Sequence, residues 1–178
     1  MTPDSVGPLS RPLPLHAIKP DGTRVHVETT AAEREALARD LDLPAIHTLE
    51  ARFRVVALGD RIRVTGRVES RLDQVCVVSL EPFESRVDEE VEAEFQLPGR
   101  ARAGSRGEEL ELTPDDLAAE ELVGDRVDLG AIAAEFLALG LDPYPRKPGA
   151  VFENPPEDTE EGPFGRLAVL RPESGGTG

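Results

Sequence analysis

Apolar and polar residues alternate most regularly between Leu49 and Leu72. From 49 to 57 the odd positions Leu49, Ala51, Phe53, Val55 and Ala57 are apolar, while Thr48, Glu50, Arg52 and Arg54 are polar. After Gly59-Asp60 the parity reverses. Ile62, Val64, Gly66, Val68 and Leu72 now hold the even positions, and Arg61, Arg63, Thr65, Arg67, Glu69 and Arg71 the odd ones. A period of two belongs to a strand with one buried face. A two-residue Gly-Asp loop pairs Leu58 with Arg61, which brings odd residues of one strand beside even residues of the other. Turn and pattern agree on an antiparallel hairpin of strands 49–57 and 61–75, with Arg52 opposite Arg67. A third strand is predicted over 85–97, with Val87, Val91, Ala93, Phe95 and Leu97 on one face and Asp88, Glu90, Glu92 and Glu94 on the other. A sheet with one apolar and one charged face needs a cover, and helices are expected to supply it.

The flanks fit that expectation. Leu13, Leu15 and Ala17 alternate as a strand would, and Pro12 and Pro14 confine it to an edge because proline has no N–H to donate. Pro20-Asp21-Gly22 signals a turn, and Val25 and Val27 continue in a second strand. Thr30 with Glu33 forms a capping box, opening a helix from Ala31 to Asp40 that Pro44 terminates. Asp128 caps another helix, whose Leu129, Ile132, Ala133, Phe136 and Leu137 share a face. Gly140 and Pro143 end it. Residues 98–126 lose periodicity, with a Gly- and Arg-rich loop at 99–107 and a short acidic helix expected from Pro114 to Glu121.

The fold class predicted is therefore α+β, an antiparallel sheet covered by helices over residues 12–145. Residues 1–11 are expected to be mobile. Residues 146–178 form a Pro- and acid-rich tail interrupted by an apolar patch at 163–170 containing Phe164, Leu167 and Leu170. No internal repeat is present.

Composition adds charge to this picture. The chain has 178 residues and a formal net charge of −15. Residues 81–125 carry 15 acidic against 4 basic side chains, −11 of that total. Such a surface repels phosphate and attracts basic partners. No apolar run approaches a bilayer span, the N-terminus lacks the pattern of a signal peptide, and the single Cys76 excludes an internal disulfide. A cytoplasmic protein with no membrane contact is expected.

Candidate chemistry is sparse. Cys76 falls on the apolar side of its strand, as a buried, inert thiol would. A structural zinc site needs about four Cys or His ligands, whereas this chain has one Cys and His16, His26 and His47. No metal, cofactor or small-molecule substrate is expected. Asp115-Asp116 and Glu120-Glu121 are paired carboxylates without a pocket-forming pattern around them. No phosphate loop, catalytic triad or dinucleotide fingerprint is present. Two surfaces stand out instead. Glu90, Glu92, Glu94, Asp115 and Asp116, with Phe164, Leu167 and Leu170 as an apolar anchor, are candidates for docking a basic protein. Arg52, Arg54, Arg63, Arg67 and Arg71 could contact RNA phosphates, or they could form a lattice of ion pairs with Glu90, Glu92 and Glu94 of the third strand.

Three segments resemble the YceD family of large ribosomal RNA subunit accumulation proteins. They are Val64 to Leu72 leading to Cys76-Val77-Val78-Ser79-Leu80-Glu81-Pro82, then Val127-Asp128-Leu129-Gly130 through Glu135 to Leu139, and Gly162 to Leu170. Gly66, Cys76, Asp128, Leu129 and Glu135 carry the motifs. The family's Cys-x-x-Cys turn has Ser79 in the second position here, which places any metal or redox role of that pair in question. The resemblance implies a non-enzymatic part in 23S rRNA accumulation or processing. Two mechanisms follow, a holder for a basic large-subunit protein or pre-ribosomal particle, and a direct rRNA-binding protein using the arginine face. A hydrolytic enzyme is the third reading.

Overall fold

The computed structural model describes residues 7–97 and 120–152. In chain order they form β1 (Pro12–Pro14), a 3-10 turn (Leu15–Ala17), β2 (Thr23–Glu28), α1 (Ala31–Asp40), β3 (Ala45–Leu58), β4 (Arg61–Val75), β5 (Pro82–Gln96), β6 (Glu120–Glu121), β7 (Arg126–Asp128) and α2 (Leu129–Leu139). The main sheet has the order β2-β3-β4-β5-β6, antiparallel except for the short β5–β6 pairing. Strands β1 and β7 make a separate antiparallel ladder. The architecture is the α+β class that the sequence predicts.

The β3–β4 hairpin has the register its parity demands. Leu58 faces Arg61, Val55 faces Val64, and Arg52 faces Arg67. Strand β3 starts four residues earlier than the alternation indicates. A bulge between Ile46 and Thr48 explains this, since the extra residue, His47, resets the parity. Ile46, an even position, thus returns to the apolar side, where it is buried opposite Leu72.

That apolar side is the core. Val27, Phe53, Val55, Val64, Val68, Leu72, Val87 and Val91 from the sheet pack with Leu37 and Ala38 of α1 and with Leu129, Ile132, Ala133 and Leu137 of α2. Both helices begin as predicted. Thr30 and Glu33 form a reciprocal capping box, and Asp128 accepts from the Gly130 and Ala131 N–H groups.

Three local expectations are corrected. The first strand ends at Pro14: Leu15 still donates to the Asp125 carbonyl, the next position of the β1–β7 register, but the Ile18 N–H bonds the Leu15 carbonyl and closes Leu15–Ala17 into a 3-10 turn. Glu120 and Glu121 extend a strand beside Phe95 and Gln96 rather than ending a helix. The rest of that expected helix, and the 99–107 loop, lie outside the described residues. Finally, the docked chain begins before residue 12, since Leu9 is buried and Ser10 and Arg11 are hydrogen-bonded to Asp128.

Candidate functional site

Antiparallel register aligns the exposed side chains of the sheet into rows that run across the strands. One row is acidic throughout, Glu28, Glu50, Glu69 and Asp88. The next reads His26, Arg52, Arg67 and Glu90, and the one after it Arg24, Arg54, Thr65 and Glu92. Like charges therefore stand directly opposite one another at Arg52/Arg67, Arg71/Arg86 and Arg24/Arg54, an arrangement that is unfavourable unless acids intervene.

For most of the arginines they do. Arg52 bonds Glu69 at 3.0 Å and Glu50 at 3.2 Å. Arg67 forms a two-pronged pair with Asp88, one prong at 2.8 Å, and this pairing lowers the Asp88 pKa. Arg63 bonds Glu94 at 2.6 Å, and Arg61 reaches the same carboxylate at 3.5 Å. Arg71 lies 3.8 Å from Glu84. The ion-pair lattice is thus present, but its acids are not the trio expected. Glu94 belongs to it, whereas Glu90 and Glu92 join none of the ion pairs found among the described residues. Of the five candidate RNA-binding arginines, Arg52, Arg63, Arg67 and Arg71 are neutralised in this way. Arg54 bonds the Asp21 carbonyl at 3.2 Å and has no ion pair among the described residues.

A second constellation ties the N-terminal segment to both helices. Asp128 accepts from Ser10 Oγ at 2.5 Å and from the Arg11 N–H at 2.7 Å while capping α2. Burial opposes ionisation of this carboxyl, but the four hydrogen bonds prevail and lower its pKa. Arg11 then grips Glu33 through both guanidinium arms, at 2.7 and 3.0 Å. The family-motif residues Asp128 and Leu129 hold the fold together here, and Leu129 is fully buried. A Cβ on Gly130 would sit 2.7 Å from Ser10 Cα, so this glycine admits the incoming chain. Glu135 is exposed on α2 and has no ion pair among the described residues.

The Arg11 guanidinium, aided by the Thr30 N–H, holds the Glu33 carboxyl down at about 2, below its ordinary 4.5. A carboxylate with a depressed folded-state pKa stabilises the protein above its unfolded value, and that contribution is lost as pH falls through the folded one. Stability should therefore drop with acidification between about 4.5 and 2, and Glu33→Gln should flatten this part of the profile. Urea midpoints measured across that range for both proteins test the expectation. Parallel profiles would remove Glu33 as the group responsible.

Cys76 is buried, as predicted, but it is more than packing. Its Sγ accepts the N–H groups of Val78 and Ser79, each at 3.4 Å. Hydrogen bonds from the Ser79 side chain first, then from the Ser79 and Lys147 backbones, outweigh burial and bring the thiol down to about 6. The sulfur thus organises the turn joining β4 to β5, where Leu80 sits at φ +57°. Among the described residues, no group of three His, Cys, Asp or Glu side chains is placed to hold a metal, and no helix is long and apolar enough to cross a membrane. Asp115, Asp116, Phe164, Leu167 and Leu170 lie outside the described residues.

Sequence reasoning passed over Arg24, Ser10 and Arg11. The alternation that assigns Val25 and Val27 inward also points Arg24 outward, so Arg24 was within reach of the pattern. Nothing local marks Ser10 or Arg11, whose partner Asp128 lies more than a hundred residues away.

Fold and surface together define an α+β protein whose distinctive groups lie on an open, charge-ordered sheet face. The chain belongs to the YceD family, described as large ribosomal RNA subunit accumulation protein YceD, whose family model matches residues 64–164. No curated protein and no solved structure matches it. The family description is that of an accumulation factor.

Proposed function

We propose that this protein promotes accumulation of 23S rRNA without catalysis, by binding a basic large-subunit protein on the pre-ribosomal particle through the acidic surface of β5. The observation that supports this reading is the uneven neutralisation of the sheet face. Its central arginines are occupied by acids, while Glu90 and Glu92 stand exposed on β5 with no ion pair among the described residues, in a chain of net charge −15. Exposed charge pairs contribute only about 0–1 kcal/mol each to stability, so a surplus of acid there has little folding value and is free to meet cations. Asp115 and Asp116 extend the acidic stretch, and Phe164, Leu167 and Leu170 supply an apolar anchor. Contacts of this kind steer association and weaken as salt rises. The protein would work in the cytoplasm, with the particle as its partner.

The test is co-sedimentation with large-subunit precursors, with and without nuclease. Glu90→Lys combined with Glu92→Lys should weaken association about tenfold, in keeping with loss of electrostatic complementarity. Arg63→Gln combined with Arg67→Gln should change it much less. If the arginine pair abolishes association while the glutamate pair leaves it intact, the acidic surface is not the contact.

A further inference from the structure

We propose that Arg24 and Arg54 form a phosphate-binding pair that takes the sugar-phosphate backbone of single-stranded RNA. The two residues are exposed and stand directly opposite each other on β2 and β3. Of the three opposed arginine pairs on this face, Arg52/Arg67 is neutralised by Glu50, Glu69 and Asp88, and Arg71/Arg86 has Glu84 beside Arg71. Arg24/Arg54 alone has no carboxylate in ion-pair range among the described residues. Among the described residues the one bond to either head is from Arg54 to the Asp21 carbonyl.

The space around the pair suits a polymer. An open groove of about 440 Å³ lies on the face, lined by Arg24, His26, Arg52, Arg54 and Thr65 together with Val25, Phe53 and Gly66. Two guanidinium forks can each engage a phosphate through two N–H donors, and the Thr65 hydroxyl offers a further donor. No aromatic ring is exposed in the groove, since Phe53 is buried with the core, so stacking on bases is absent and recognition is sequence-independent. Glu28 and Glu50 on one side and Glu92 at the far end of the row bound the site. RNA as the source of the phosphate, rather than a free anion, rests on the rRNA role proposed above. The site lies at the β2–β3 end of the sheet, away from the acidic β5 end, so one particle can meet both.

Fluorescence anisotropy with a labelled single-stranded oligoribonucleotide of mixed sequence, titrated with the full chain at low salt, tests the proposal. Arg24→Gln with Arg54→Gln should weaken binding at least about tenfold and reduce the slope of log K against log salt by about 1.4, as expected when two single-strand phosphate contacts are lost. Arg24→Lys with Arg54→Lys keeps the charge and should retain most of the affinity. Arg63→Gln with Arg71→Gln removes the same charge from paired positions and should have little effect. Thermal melting confirms that each variant is folded. The proposal is overturned if the wild-type protein does not bind the oligonucleotide, if the Arg63/Arg71 variant loses as much affinity as the Arg24/Arg54 variant, or if inorganic phosphate binds and RNA does not. None of these results touches association through Glu90 and Glu92, which is read after nuclease treatment.

Discussion

Gly66→Ala should destabilise the protein by about 3 kcal/mol, the size expected of overpacking at a closely packed position. Gly66 lies on β4 opposite Phe53. A Cβ built there overlaps the Arg52 carbonyl oxygen and comes 2.8 Å from Cδ1 of Phe53. Neither neighbour yields easily, since the carbonyl is part of the β3 backbone and the ring is buried among core residues. Reduced freedom of the unfolded chain would return at most about 1 kcal/mol, so the clash prevails. Gly59→Ala is the control. Its Cβ meets nothing within 4 Å, leaving only the positive φ of the hairpin loop as a cost of about 1 kcal/mol. Urea denaturation measures both, and equal losses at the two positions would show that the contact with β3 is not what requires glycine.

Asp128→Ala should cost a similar amount, about 3 kcal/mol. Loss of an N-cap accounts for about 1 kcal/mol, and hydrogen bonds to a charged group for about 1.5–3 kcal/mol more. The carboxylate caps α2 and also receives Ser10 Oγ and the Arg11 N–H. Without it the segment carrying buried Leu9 loses its anchor, so chymotrypsin cleavage after Leu9 should accelerate together with the fall in stability. Asp128→Asn keeps an acceptor for the cap and should recover a large part of the loss. If alanine and asparagine are equally damaging, the capping bonds are not the main contribution. If cleavage after Leu9 is unchanged, the anchor to the N-terminal segment is not what matters.

What the sequence disclosed and withheld follows from the range of the forces involved. The β3–β4 hairpin was legible because parity and a two-residue turn specify the same register. The two helix starts were legible because a cap is a contact across three residues. The bulge at His47 was not, since one extra residue simply ends the visible alternation. The β1–β7 ladder is three residues long and joins opposite ends of the described chain, too short to carry a period. Of the charged surface, membership could be read off the strands but partnership could not. Which acid neutralises Arg67 depends on the β4–β5 register, and Asp88, not the directly opposed Glu90, proved to be the partner.

The ion pairs between β4 and β5 run mostly on the diagonal. Arg67 with Asp88, Arg71 with Glu84 and Arg61 with Glu94 are each displaced by two residues from the directly opposed position. A slip of two residues would bring all three pairs face to face. It would also keep apolar side chains inward, with Val64 meeting Val91 and Val68 meeting Val87. Neither charge nor hydrophobic parity therefore rejects this misalignment, and the decision falls to the connection between the strands. There the Cys76 N–H bonds the Glu81 carbonyl, the Leu80 N–H bonds the Cys76 carbonyl, and the Cys76 sulfur gathers two further N–H groups. The slipped pairing would shorten that connection by two residues and break these bonds. The turn bonds at Cys76 therefore hold β4 and β5 in one alignment where charge and hydrophobicity would accept two, and the lone sulfur contributes to this without any partner cysteine.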